Sequence, residues 1–136
     1  MTKLKLYSDG GARGNPGPSG IGAVLKNDNN EIIAEVSEFI GNGTNNQAEY
    51  RAVLAGMEKA KSLGVEELHC YLDSELVVKQ LKREYKVKNV ELATLFVKAH
   101  NLALNFKKIT YTHIRRELNK EADLLANLAM DRGMGL

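Results

Sequence analysis

Residues 6–17 read LYSDGGARGNPG, and here an alternating strand pattern gives way to a turn rich in glycine and proline. The alternation over residues 3–8 predicts a first β-strand with Asp9 at its end. Apolar runs over residues 20–26 and 31–40 predict two further strands, which an Asn-rich turn separates. We therefore expect the first forty residues to form an antiparallel meander.

The rest of the chain alternates helical and strand patterns. The predicted order is β-β-β-α-β-α-α-β-α. This order indicates an α/β fold with a five-stranded mixed sheet and helices on both faces. The first three strands of the sheet would be antiparallel. After the meander, the predicted elements are a helix containing residues 50–60 that Thr44 or Asn45 caps and Gly64 ends, a strand over 68–72, a helix over 74–81 capped by Ser74, a helix over 92–106, a strand over 109–114 and a helix over 118–129 capped by Asn119.

The composition is that of an ordinary globular protein. The 136 residues, 43% apolar and 26% charged, predict one domain over residues 1–136. The net charge of +2 permits a nucleic-acid partner but does not require one. Cys70 is the only cysteine, which favours a reducing compartment. No apolar stretch suggests a signal peptide or a membrane span, so we expect a cytoplasmic protein without a membrane partner.

Four acidic residues lie at boundaries between predicted elements. Asp9 and Asp73 end the first and fourth strands, and they would meet if these strands are parallel neighbours. Glu49 and Asp123 fall in the first turns of two helices, where the helix dipole alone would explain an acid. Converging carboxylates would repel one another, and Mg²⁺ would relieve that repulsion because it prefers oxygen ligands.

Together these residues resemble the type 1 ribonuclease H family. The order and the intervals of the matching motifs agree over essentially the whole chain. The resemblance implies a ribonuclease H-like fold and an endonuclease that cuts the RNA strand of an RNA–DNA hybrid, leaving 5′-phosphate and 3′-hydroxyl ends. The motifs that carry it are residues 7–11 (YSDGG), 14–22 (GNPGPSGIG), 44–49 (TNNQAE), 73–75 (DSE) and 119–127 (NKEADLLAN).

The resemblance also implies roles for the four acids. Asp9, Glu49, Asp73 and Asp123 would be the catalytic, metal-binding residues and would hold two Mg²⁺ ions, with Mn²⁺ as an alternative. Asp9 would bridge both ions, whereas Asp73 and Asp123 would each hold one of them. Glu49 would bind one ion and accept a hydrogen bond from a ribose 2′-hydroxyl.

An auxiliary catalytic residue is also implied. His113 precedes Asp123 by the interval at which the family has a loop histidine that serves proton transfer or product release. The stretch around His113 reads as a strand end rather than as a flexible loop, so Arg115 and Arg116 remain alternatives.

Eight further residues are candidates for substrate binding. Two glycines would let the backbone approach a ribose, because no Cβ intervenes. Side-chain amides suit 2′-hydroxyls and minor-groove edges. Asn89 matches a residue of the family's DNA-phosphate pocket, and Thr44 could join that pocket. Ordinary turn and cap roles are the competing explanation. The candidates are Gly10, Gly11, Asn15, Thr44, Asn45, Asn46, Gln47 and Asn89.

The segment over residues 80–89 leads directly to the next predicted helix, so it leaves no room for the basic protrusion of some family members. The chain therefore resembles the compact prokaryotic form. Its expected partner is an RNA–DNA hybrid, with double-stranded RNA as an open possibility, and we expect a monomer with no obligate protein partner. Two alternative functions remain: a non-catalytic nucleic-acid-binding module, and another nuclease on the same fold.

Overall fold

The computed structural model describes residues 2–136, which form one five-stranded sheet with the strand order β3-β2-β1-β4-β5. No helix in this described part is long and apolar enough to cross a membrane. The elements are β1 (Lys3–Ala12), β2 (Gly17–Lys26), β3 (Ile32–Gly43), α1 (Asn45–Ser62), β4 (Glu67–Leu72), α2 (Glu75–Leu81), α3 (Val90–Ala103), β5 (Lys108–His113), a 3₁₀ turn (Arg116–Leu118) and α4 (Lys120–Gly133).

The strand pairing confirms the predicted mixed sheet. β1 pairs antiparallel with β2 and parallel with β4, while β2–β3 is antiparallel and β4–β5 is parallel. The parallel pairing of β1 ends at Ser8, which lies opposite Leu72. The antiparallel pairing continues to Ala12, opposite Ser19. The prediction that Asp9 ends the first strand is therefore wrong in detail, because Asp9 lies inside β1 at the point where its parallel partner stops.

Helices cover both faces of the sheet, as predicted, and two glycines show how closely they approach. A Cβ on Gly10 in β1 would lie 2.2 Å from the carbonyl oxygen of Ala48 in α1. On the other face, a Cβ on Gly22 in β2 would lie 2.2 Å from the carbonyl oxygen of Ala122 in α4. These two contacts bring the first turns of α1 and α4 against the middle of the sheet, one from each side.

The main core fills the space between the sheet and the first three helices. Leu4 and Leu6 of β1 and Leu68 of β4 are fully buried there, and Tyr50 of α1 donates a hydrogen bond of 2.6 Å to Gln80 of α2. The buried apolar residues remove the sheet face from water, which is the main driving force for docking these helices.

The bounds of the last two helices also differ from the prediction. The last helix begins at Lys120, not at Leu118, which lies in the 3₁₀ turn and is 66% exposed. Asn119 occupies the N-cap position of α4, but its side chain makes no capping hydrogen bond. The third helix ends at Ala103, and Phe106 is buried in the core beyond that end.

Candidate active site

Three of the four predicted acids converge. Asp9, Glu49 and Asp73 each offer one carboxylate oxygen, and these three oxygens lie within 4.8 Å of one another. Asp9 and Asp73 meet because Ser8 and Leu72 are paired in the parallel ladder, so the residues after them leave the ladder side by side. Glu49 reaches them from α1, and its Oε1 accepts a hydrogen bond of 3.3 Å from the backbone N–H of Gly10.

The fourth acid, Asp123, lines the same cavity from the first turn of α4. Its carboxylate lies outside the three-acid group but is close enough for its charge to raise the pKa of Asp9. Asp123 Oδ1 lies 3.3 Å from Asn127 Nδ2 and 3.9 Å from the guanidinium of Arg116. The cavity has a volume of about 480 Å³.

The acids are held where their charges are unfavourable. Burial raises the pKa of Asp9 to about 7, and the charges of Asp73 and Asp123 add to this, although a hydrogen bond with Glu49 acts in the opposite direction. Burial raises the pKa of Glu49 well above its usual value, and the charge of Asp9 raises it further. Both carboxyls therefore keep their protons to a higher pH than exposed acids do.

The donor set fits a hard divalent cation. Glu49 Oε2 is buried and has no hydrogen-bond partner in the described part of the chain, which is costly for a carboxyl oxygen. Carboxylate oxygens are the ligands that Mg²⁺ and Mn²⁺ prefer, and a cation would offset the charge that burial makes unfavourable. The cluster is therefore a candidate site for divalent metal, which agrees with the chemistry that the sequence indicates.

A buried asparagine, Asn119, makes hydrogen bonds that connect two parts of the site. Asn119 is 1% exposed, and its Nδ2 donates to the backbone oxygen of Ser8 at 2.9 Å and to Asp73 Oδ2 at 3.3 Å. The predicted capping role of Asn119 is wrong, because its amide links β1 to Asp73 instead. Only its place in the motif over residues 119–127 signalled its importance, and the pattern did not show what it contacts.

Gly10, Gly11 and Asn45 line the cavity with the acids. Asn45 Oδ1 accepts a hydrogen bond of 2.8 Å from the N–H of Ala12, and Asn15 Oδ1 accepts one of 3.1 Å from the N–H of Asn45. The two asparagines thus tie the turn after β1 to the start of α1. Their substrate contacts stay a prediction.

The other substrate-binding candidates lie outside the acidic cavity. Thr44 caps α1, and Gln47 Oε1 accepts from the N–H of Thr44, while Gln47 Nε2 donates to Glu91 of α3. Asn89 caps α3 by accepting a hydrogen bond of 3.0 Å from the N–H of Leu92. Asn46 lies half-buried in the first turn of α1. The competing cap roles are therefore present, and contact with nucleic acid stays a prediction for all four.

The structure separates His113 from the acids. His113 is exposed at the end of β5 and lines a different depression, together with Glu75, Lys79 and Lys82. Arg116 lines the acidic cavity instead. Sequence reasoning also missed Arg13 and Asn127, two further residues of the cavity wall. No local signal marks Arg13, because its position follows from how the turn after β1 packs on α4. Asn127 lies four residues after Asp123 on the same predicted helix, and this spacing could have signalled it.

Comparison with known proteins agrees with this architecture. A family model described as Reverse transcriptase-like matches residues 7–129. The bifunctional protein Rv2228c of Mycobacterium tuberculosis is 46% identical over 95% of this chain and 36% of its own length. Ribonuclease HI of Halobacterium salinarum is 40% identical over 95% of this chain and 65% of its own. Ribonuclease H of Ruthia magnifica is 32% identical over 97% and 98% of the two chains. The chain thus spans less than two thirds of the length of the first two of these relatives.

Two solved structures show the same fold. The N-terminal RNase H domain of the Mycobacterium tuberculosis protein superposes with a TM-score of 0.93 at 45% identity, over 96% of this chain and 100% of that one. LC11-RNase H1, which was isolated from compost, was solved in complex with an RNA/DNA hybrid. It superposes with a TM-score of 0.92 at 38% identity, over 96% of this chain and 99% of that one. The sheet order and the acidic cavity define the class of α/β proteins with the ribonuclease H fold. Since relatives also match along nearly their full length, the chain belongs to the ribonuclease H family.

Proposed function

We propose that this chain is a divalent-metal-dependent endoribonuclease that hydrolyses the RNA strand of RNA–DNA hybrids, leaving 5′-phosphate and 3′-hydroxyl ends. The observation that carries the proposal is the convergence of Asp9, Glu49 and Asp73, from three separate elements, within 4.8 Å. A structural role does not account for this cluster, because burying like charges together opposes folding. The hybrid bound to LC11-RNase H1, a structure 38% identical to this chain, supports the substrate class.

The acids would hold two Mg²⁺ ions, with Mn²⁺ as an alternative. Glu49, Asp73 and Asp123 each act on the pKa of Asp9, so Asp9 is near all three and would be the residue to bridge both ions. Asp73 and Asp123 would each hold one ion, and Glu49 would serve an ion and a 2′-hydroxyl. Bound divalent ions lower the pKa of a coordinated water and stabilise charge on the leaving oxygen.

The chain's own residues orient the RNA strand. Gly10 and Gly11 expose backbone in the cavity beside the acids, so that a ribose can approach closely, and Asn45 adds an amide next to them. A 2′-hydroxyl both donates and accepts hydrogen bonds, and it distinguishes RNA from DNA. Asn15, Thr44, Asn46, Gln47 and Asn89 would extend this contact along the hybrid. His113 or Arg116 would assist product release. Arg116 is the better placed of the two, because it lines the acidic cavity and its guanidinium lies 3.9 Å from Asp123 Oδ1.

We further propose that residues 1–136 act as one domain and as a monomer, in the cytoplasm and without an obligate protein partner. The lone cysteine, Cys70, is fully buried in β4, as suits a reducing compartment. Double-stranded RNA is a second candidate substrate, because it presents the same 2′-hydroxyls as the RNA strand of a hybrid.

The test is cleavage of an end-labelled RNA–DNA hybrid, compared with RNA–RNA and DNA–DNA duplexes, with Mg²⁺, with Mn²⁺ and with EDTA. Asp9→Asn and Asp73→Asn should each abolish cleavage while hybrid binding persists. Asp28→Asn is the matched control, because Asp28 is an exposed acid in the turn before β3. Binding without turnover in every metal would favour a non-catalytic module, and preferred cleavage of DNA–DNA duplexes would favour another nuclease of the same fold.

A further inference from the structure

A series of hydrogen bonds connects the turn after β1 with α4 beside the acidic cavity. The guanidinium of Arg13 lies against α4, where Nη1 donates to Asp131 Oδ1 at 2.5 Å. Its Nη2 donates to the backbone oxygen of Asn127 at 3.3 Å and to Asn127 Oδ1 at 3.4 Å. Arg13 thereby contacts two turns of α4 at once, and its charge is neutralised by Asp131 rather than left free for a ligand.

Arg13 fixes which way the amide of Asn127 points. With Oδ1 facing the guanidinium, Asn127 Nδ2 donates to the backbone oxygen of Asp123 at 2.9 Å and to Asp123 Oδ1 at 3.3 Å. The flipped amide would set its N–H groups against the cation and its oxygen against the carboxylate, and both contacts would be unfavourable. A single orientation of the amide therefore satisfies both neighbours.

This amide donates a hydrogen bond of 3.3 Å directly to the Asp123 carboxylate. A cationic group, Arg116, also lies 3.9 Å from Asp123, but its side chain is 81% exposed. An exposed pair at that distance restrains a side chain weakly. A neutral amide also orients an acid without cancelling the negative charge that a cation would need, whereas a lysine or arginine at this position would compete with the metal.

We propose that Asn127, oriented by Arg13, is a positioning residue that directs the Asp123 carboxylate toward Asp9 and thereby sets the affinity of the site for divalent metal. The inference rests on the proposed function for its link to turnover. Its link to metal binding is independent of any substrate. It predicts that Arg13 acts through Asn127 and not as an anchor for a phosphate group.

The test compares Asn127→Ala, Asn127→Leu, Arg13→Ala, Arg13→Lys and the double variant Arg13→Ala/Asn127→Ala. Asn101→Ala is the matched control, because Asn101 is an exposed helical asparagine in α3. The first readout is the rise in melting temperature that added Mn²⁺ or Mg²⁺ causes without substrate. The second is the metal concentration for half-maximal cleavage, measured together with kcat and KM for the hybrid.

Both Asn127 variants should need about tenfold more metal for half-maximal stabilisation and half-maximal cleavage, as is usual when a group that orients a metal ligand is lost. KM for the hybrid should change little. Arg13→Lys should resemble Arg13→Ala, because an ammonium lacks the fork that contacts both Asn127 and Asp131. The double variant should be no worse than Asn127→Ala, since two residues that act in series are not additive. Asn127→Leu keeps the branched shape of the side chain without its polar groups, and leucine favours the helix more than asparagine does, so this variant separates loss of the donor from loss of the fold.

Metal responses like those of the wild type in folded Asn127→Ala and Asn127→Leu would overturn the proposal. A metal response in Arg13→Lys equal to that of the wild type would also overturn it. So would additive effects of the double variant that appear only in KM. Either result would mean that Arg13 acts as a charge that contacts the substrate. If the wild type cleaves no hybrid, the proposed function fails, and the metal-dependent melting temperature still decides whether Asn127 positions Asp123.

Discussion

Replacing Asp9 with asparagine should stabilise the metal-free protein while it destroys activity. Asp9 is 8% exposed, and its pKa is raised from the ordinary 3.8 to about 7. The folded state therefore binds this proton more tightly than the unfolded state does. As a result, the metal-free protein loses stability as the pH rises from about 4 to about 7, and the full loss is present above that range.

The size of the effect follows from the same two pKa values. A difference of this size corresponds to about 4 kcal/mol at pH values above the folded-state pKa, and this is the largest gain that Asp9→Asn can give. At about pH 4 the two proteins should differ by less than about 1 kcal/mol, because Asp9 is then protonated in the folded wild type. Saturating metal should reverse part of the gap, since a metal at about 100 times its dissociation constant stabilises the wild type by about 2.7 kcal/mol.

Urea unfolding in EDTA at about pH 4, 6 and 8, followed by circular dichroism, measures these differences. Asp28→Asn is the control, and an exposed neutralisation of this kind should stay within about 0.5 kcal/mol of the wild type at every pH. The reasoning would be refuted if Asp9→Asn were less stable than the wild type at about pH 8 in EDTA, or if its advantage did not depend on pH.

Three further outcomes are expected. Gly10→Ala should destabilise the protein by at least about 3 kcal/mol in urea unfolding, because the new Cβ would lie 2.2 Å from the backbone oxygen of Ala48, and a loss under about 1 kcal/mol would contradict that contact. Asn119→Ala should cost about 1–3 kcal/mol of unfolding free energy because the backbone oxygen of Ser8 loses its buried donor, whereas Asn105→Ala, at an exposed position, should cost far less. Metal binding should tighten between about pH 6 and 8, because bound metal must displace the proton that Asp9 holds up to about pH 7; calorimetry should then show proton release, and equal dissociation constants at both pH values would argue against it.

Much of the fold could be predicted from local pattern. The meander, the alternation of strands and helices and the cap at Ser74 follow from the sequence because caps and periodicity are local properties. For the first helix the sequence leaves Thr44 and Asn45 open as caps, and the structure shows that Thr44 is the cap. The end of the first strand could not be predicted in this way, because Gly10 to Ala12 stay in β1 only through their pairing with β2. Asn119 was misassigned for a similar reason. Its sequence position fits a helix cap, but its partners lie on β1 and after β4, far away in the chain.

For the site, the sequence alone determined which acids to consider and which family they resemble, since residue type, motif order and spacing are linear information. The tertiary structure decided how they meet. The parallel pairing of β1 with β4 sets Asp9 beside Asp73, and the close approach at Gly10 brings Glu49 to them. It also decided that Arg116 rather than His113 lines the cavity, and that Arg13 from the turn after β1 contacts Asn127. Such contacts depend on how distant elements pack, and packing is a property of the whole fold rather than of any one segment.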